Sequence, residues 1–129
     1  MTTDTLERIL YIEDEADIQT IARLALESIG GFVVETCSSG REGLDRVADF
    51  APDLVLLDVM MPDMDGPATL RALRQLPGMA ALPVVFMTAK VQPQEVAEYR
   101  ARGALDVIAK PFDPMTLAAQ VREIWARQP

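Results

Sequence analysis

The sequence predicts a doubly wound α/β domain, a five-stranded parallel sheet covered by five helices, and three observations carry that expectation. Short, continuously apolar runs alternate with amphipathic stretches from one end of the chain to the other. Runs of that kind fit strands buried on both faces, as in a parallel sheet, rather than strands with one wet face. The connections are short and rich in Gly, Pro, Asp and Ser, which favours successive β–α units. The length, 129 residues, fits one domain with a core of its own.

Taken in order, Ile9-Leu10-Tyr11-Ile12 reads as the first strand. Ile18, Ile21, Ala22, Ala25, Leu26 and Ile29 then follow helical spacing, and Gly30-Gly31 stop that helix. Phe32-Val33-Val34 opens the second strand. Ser39 and Glu42 form a capping box for a second helix, with Leu44, Val47 and Ala48 on its inner face. Leu54-Val55-Leu56-Leu57 is the third strand, and Gly66-Pro67 opens a third helix carrying Leu70 and Leu73. Val84-Val85-Phe86-Met87 is the fourth strand. A helix of weaker pattern runs from near Pro93 to before Gly103, and Val107-Ile108-Ala109 is a short fifth strand. Asp113-Pro114 caps and starts a last helix with Leu117, Val121, Ile124 and Trp125 facing inward. No repeat, low-complexity segment or linker interrupts the series, so residues 1–129 are expected to form one domain with no output domain attached.

Charge and composition narrow the function. Twenty acidic against twelve basic residues leave a net charge of −8, which disfavours direct nucleic-acid binding but suits a metal cation or a basic partner. There is one cysteine, Cys37, and no histidine, so an internal disulfide and a Cys/His zinc site are both excluded. Cys37, at the end of an apolar run, reads as a small core residue. No run reaches membrane-spanning length, and Met1-Thr2-Thr3-Asp4 lacks the basic-then-apolar pattern of a signal peptide. The chain is expected to be cytoplasmic, a monomer or weak dimer.

In an open parallel sheet, ligands bind beyond the carboxyl ends of the strands. Those ends carry Glu13-Asp14-Glu15, Asp58, Thr88 and Lys110. Taken singly, each has an ordinary explanation as a cap, a turn residue or a surface charge. Together, Glu13, Asp14 and Asp58 make a cluster in which each close pair repels by roughly 4 kcal/mol at an effective dielectric near 20. Lys110 offsets one of the three charges, and the remaining deficit matches a divalent cation. Hard carboxylate oxygens with room for water and phosphate suit magnesium. Lys110 and Lys90 are the only lysines among the twelve basic residues. A compact ammonium serves a phosphate oxygen as a point charge where a guanidinium is bulkier. The methionines of the following loop, Met60, Met61 and Met64, read as loop packing rather than a soft-metal site.

Four segments in order, Ile9-Leu10-Tyr11-Ile12-Glu13-Asp14-Glu15, then Leu56-Leu57-Asp58-Val59-Met60-Met61-Pro62-Asp63-Met64-Asp65-Gly66, then Met87-Thr88-Ala89-Lys90 and Lys110-Pro111-Phe112, resemble the signature of response-regulator receiver domains. The resemblance spans about Arg8 to Trp125 and is nearest to stand-alone, chemotaxis-regulator-like members. It implies the flavodoxin-like receiver fold and a phosphoacceptor role for Asp58. It implies that Asp14, Asp58 and the backbone carbonyl of Met60 hold Mg2+, with Glu13 acting through a metal-bound water. Thr88 and Ala89 would meet the phosphoryl group. Lys110 would pair with Asp58 at rest and with the phosphoryl group afterwards. Met60 and Lys90 would tune dephosphorylation, and Lys110-Pro111 would be a cis peptide. The partners implied are a histidine kinase or histidine phosphotransfer protein, and a downstream protein on the face of the fourth helix, fifth strand and fifth helix. Such a domain signals rather than acting as an enzyme, though it promotes its own phosphorylation and dephosphorylation.

Two residues depart from the pattern. Glu13 stands where Asp is usual, and Val107 stands where the family places the aromatic ring of its switch. A dehalogenase-type phosphatase is excluded, since it needs an acid two residues after the nucleophile, where this chain has Met60. A flavodoxin-like cofactor carrier would bring a phosphate against Glu13-Asp14-Glu15, and a dinucleotide enzyme needs a Gly-rich first turn that is missing. An interaction module that keeps the fold without phosphorylation is disfavoured by the intact Asp58, Thr88 and Lys110.

Overall fold

The computed structural model of the protein describes residues 5–128, so the N-terminal Met1-Thr2-Thr3-Asp4 read above lies outside the described residues. Strands β1 (Arg8–Ile12), β2 (Val33–Cys37), β3 (Leu54–Asp58), β4 (Val84–Thr88) and β5 (Asp106–Ala109) alternate with helices α1 (Ala16–Leu24), α2 (Gly40–Phe50), α3 (Gly66–Gln75), α4 (Pro93–Ala101) and α5 (Leu117–Arg127). All strand pairs are parallel, in the order β2-β1-β3-β4-β5. The expected doubly wound sheet is therefore the observed one.

Side chains alternate across each strand and so divide the core in two. Ile9, Tyr11, Leu54, Leu56, Val85, Met87 and Ile108 meet Leu26 and, from α5, Leu117, Val121 and Ile124 on one face. Leu10, Ile12, Val55, Leu57, Val84 and Phe86 meet Val47, Leu70 and Leu73 of α2 and α3 on the other. The inner strands β3 and β4 are buried along their whole length, as continuous apolar runs require. Edge strand β2 is not: Val33 is exposed, and the strand begins there rather than at the buried Phe32. Arg74 of α3 ties two loops to the sheet's lower edge, its guanidinium donating to the carbonyls of Met79, Leu82 and Gly103 at 3.0, 2.7 and 3.2 Å.

Helix ends follow local chemistry. The last turn of the first helix widens into a π-helical turn (Ala25–Ile29) before Gly31 takes a φ of +74° and ends it. Ser39 caps α2 by accepting from the Glu42 amide at 3.1 Å, but Glu42 reaches back to the Ser38 amide, one residue further than a reciprocal box. The reciprocal box is on α4, between Gln92 and Glu95.

Several inward assignments move. Ile21 and Ile29 are about half exposed, and Ala48 faces solvent while Gly43 and Phe50 of the same helix are buried. A helix touching a flat sheet buries a narrower stripe than its apolar residues could cover, and contact geometry selects it. The last helix starts at Leu117, not at Asp113-Pro114. Asp113 instead closes a turn, its carboxylate accepting from Met115 and its carbonyl from Thr116 and Leu117. Trp125 is half-buried against the core. Among the described residues, no helix is long and apolar enough to cross a membrane.

Candidate functional site

The chain passes from β1 out to β2 and then returns to place β3 on the other side of β1. That reversal opens a crevice at the carboxyl ends of β1 and β3, the usual ligand position in such a sheet. The register pairs Ile12 with Leu57, so one step further Glu13 stands opposite Asp58. On the other side, Asp58 pairs with Met87 and Thr88 with Ala109, which brings Lys110 to the same rim. Four strands thus deliver the residues singled out by sequence to one place.

Glu13, Asp14 and Asp58 each offer a carboxylate oxygen, all within 4.8 Å of one another. Glu13 is fully buried, Asp58 nearly so, and Asp14 is exposed. The Lys110 ammonium lies 2.8 Å from Glu13 Oε1 and 3.3 Å from Asp58 Oδ1. The expected pairing with Asp58 is present, and Glu13, which the sequence did not assign to Lys110, is the nearer partner. A buried Tyr11 hydroxyl, which sequence reading had placed only in the core, donates to the same Glu13 oxygen at 3.1 Å. Gln19 of α1 donates to the Glu13 carbonyl and to Ser38 Oγ, fastening the ends of β1 and β2 together.

Burial, reinforced by the charge of Glu13, pushes the Asp58 carboxyl up to about 6 against the opposing pull of Lys110. Burial works to lower Lys110, but the hydrogen bond to Glu13 and the charge of Asp58 outweigh it and leave the ammonium raised. Burial and the adjacent Glu13 raise Tyr11 far above the ordinary phenol range. The donor set is hard oxygen, net negative by two, with one acid open to solvent, and it fits magnesium in charge and ligand type.

The remaining predicted residues lie around this centre. Thr88 is buried, and its hydroxyl accepts from the Lys90 amide at 3.1 Å. Ala89 and Lys90 are exposed, Met60 is 72% exposed, and Met61 is buried in the loop. Lys110-Pro111 is a cis peptide. Gly66 opens α3 where nothing larger fits: an added Cβ would lie 2.8 Å from Val59 Cα and 2.9 Å from the Asp58 carbonyl oxygen. Val107 is half-buried against the α3-side core, opposite Phe86. The ring on that face belongs to Tyr99 of α4, edge-on to Phe86 at 5.2 Å. Beside it Asp106, at the start of β5, holds Arg100 of α4 at 2.8 Å and Arg127 of α5 at 3.0 Å. Cys37 is buried, as its position predicts, and burial pushes its thiol up to about 12.

Residues 9–122 match the response regulator receiver domain family. The chain belongs to this family. Among its relatives, the phosphate regulon transcriptional regulatory protein PhoB of Rhizobium meliloti is 36% identical over 95% of this chain and 53% of that protein. The DNA-binding response regulator MtrA of Mycobacterium tuberculosis is 38% identical over 92% of this chain and 51% of its own length. The chain spans about half the length of these relatives. Among solved structures, the chemotaxis protein CheY4 of Vibrio cholerae superposes with a TM-score of 0.84 at 28% identity, covering 93% of this chain and 99% of that one. A putative response regulator from Chloroflexus aurantiacus gives 0.82 at 30% identity, covering 95% and 100%. This receiver domain is accordingly a signalling domain of the two-component class.

Proposed function

We propose that Asp58 of this receiver domain accepts a phosphoryl group from a phosphohistidine on a histidine kinase or histidine phosphotransfer protein, in a magnesium-dependent reaction. The observation that carries the reading is the Asp58 carboxylate at the end of β3, 3.3 Å from Lys110 and within 4.8 Å of the Glu13 and Asp14 oxygens. In the transfer, an Asp58 oxygen bonds to phosphorus as the phosphorus–nitrogen bond of the donor breaks, and the imidazole nitrogen leaves with the electron pair. The chain supplies position and charge rather than a separate base. Lys110 sits where it can neutralise a phosphoryl oxygen, and Thr88 and Ala89, at the end of β4, would meet the phosphoryl group as the family resemblance implies. Asp14, Asp58 and the Met60 carbonyl would hold magnesium, with Glu13 at the edge of that site, and the cation would supply charge neutralisation for the phosphoryl oxygens. Hydrolysis of the acyl phosphate returns the Asp58 carboxylate and inorganic phosphate, at a rate set in part by Met60 and Lys90.

Two surfaces support the partner assignments. An apolar groove lined by Ile18, Ile21, Pro111, Phe112 and Pro114 adjoins Lys110, within reach of a donor docking over the rim. The α4-β5-α5 face, with the Arg100–Asp106–Arg127 ion pairs, is the surface offered to a downstream protein.

The test is incubation with acetyl phosphate and magnesium, read by intact mass. The parent chain is expected to gain one phosphoryl group and Asp58→Asn none. Equal uptake by the two forms would remove Asp58 from the role.

A further inference from the structure

Glu13 occupies the first position of the acidic pair, yet both of its oxygens are already engaged by protein donors. Oε1 accepts from Lys110 Nζ at 2.8 Å and from the Tyr11 hydroxyl at 3.1 Å, and Oε2 accepts from the Glu15 amide at 3.2 Å. Tyr11 and Glu13 are both fully buried, so water does not compete for these bonds. Two residues apart on extended chain, the two side chains leave the same face of the sheet. A glutamate has the extra methylene needed to fold its carboxylate back over that face, where an aspartate is one carbon short. Glu13 and the buried Tyr11 are thus one device.

We propose that Tyr11 is a positioning residue for the phosphoryl-transfer site. Its hydroxyl and the Lys110 ammonium hold the same oxygen of Glu13, committing that carboxylate to the lysine. Asp14 and Asp58 are left as the acids that bind magnesium. This deepens the function proposed above and rests on it. Asp14 is exposed and Asp58 lies beside Lys110, so neither is withdrawn from a metal in the way Glu13 is. Removing the Tyr11 hydroxyl frees Glu13 to turn toward the cation and leaves more of its charge uncompensated. Both effects act in one direction, toward tighter magnesium binding.

The experiment is calorimetric titration of magnesium alone into the parent chain, Tyr11→Phe, Glu13→Gln and the double variant, with thermal melting to establish that each is folded. A hydrogen bond to a carboxylate corresponds to roughly tenfold or more in an equilibrium, and part of it passes to the metal, so Tyr11→Phe is expected to tighten the magnesium Kd by about threefold to tenfold. In the Glu13→Gln background the same substitution is expected to change Kd by less than about twofold, because the oxygen through which Tyr11 acts is altered. A purely structural tyrosine would shift both backgrounds equally. Glu13→Asp gives a second reading that leaves Tyr11 intact: it withdraws the carboxylate from the hydroxyl and is likewise expected to tighten the metal. A parent chain that binds magnesium while Tyr11→Phe and Glu13→Asp leave Kd unchanged or weaker would overturn this proposal alone, as would equal shifts in both backgrounds. A parent chain that takes up no magnesium would overturn the metal reading of the site, and this inference with it.

Discussion

Replacing Asp58 by Asn is expected to make the metal-free protein more stable at neutral pH, even though it removes the phosphoacceptor. Burial, and then the charge of Glu13, push the Asp58 carboxyl from 3.8 up to about 6 in the folded chain, with Lys110 opposing. The side chain is 5% exposed, so solvent screens these effects little. Because the folded value is the higher one, the folded chain holds its proton to higher pH than the unfolded chain does. Well below pH 3.8 both states are protonated and no difference exists. Between the two values the unfolded state ionises first, and folding stability falls by about 1.36 kcal/mol per pH unit. The accumulated loss is roughly 3 kcal/mol at pH 7, constant above the folded value and recovered on acidification. Asparagine keeps the shape without the charge. Its advantage at pH 7 is therefore up to about 3 kcal/mol, or roughly 10 °C in Tm for a chain of this size. Urea unfolding of both forms at pH 4, 5, 6 and 7, with a chelator present, measures it. Magnesium should then stabilise the parent and not the variant. An Asn form no more stable than the parent at pH 7, or an advantage undiminished at pH 4, would refute the reasoning.

Lys110→Ala strips fully buried Glu13 of its cationic partner and is expected to cost about 2–4 kcal/mol in urea denaturation. A loss below half a kcal/mol would show that the pair is not what holds Glu13 in place. Gly66→Ala drives a methyl into the backbone at Asp58 and Val59, so a destabilisation of about 1–3 kcal/mol is expected together with slower labelling by acetyl phosphate. Normal labelling would mean that the end of β3 yields freely. Beryllofluoride, standing in for the phosphoryl group, is expected to move the backbone from Ala89 to Gln92 while Val107 keeps one rotamer, because valine has a single stiff torsion and no ring to swing. Structures with and without it decide the matter, and a fixed loop beside a reoriented Val107 would sink the idea.

The sheet, its order of elements and the rim residues were legible in the sequence because each depends on local pattern. Continuous apolar runs mark inner strands, and the first polar residue after each run necessarily stands at a strand's carboxyl end. Glu13, Asp58, Thr88 and Lys110 were found in that way, with Asp14 directly after Glu13, and the family resemblance rested on the four segments that carry them. What local pattern does not contain is which strand lies beside which, and at what depth. Lys110 sits nearer Glu13 than Asp58 only because β1 flanks β3 and the glutamate reaches across the rim. Tyr11 looked like one more core residue because nothing in a strand sequence says where its hydroxyl ends. Asp106 carried no signal in the sequence, and only the packing of α4 and α5 brings Arg100 and Arg127 to it from 6 and 21 residues away. The inner face of α1 shifted off Ile21 and Ile29 for the same reason. Helical periodicity names the residues able to be buried, while contact with the sheet and the neighbouring α5 chooses which of them are, since only contact removes apolar surface from water.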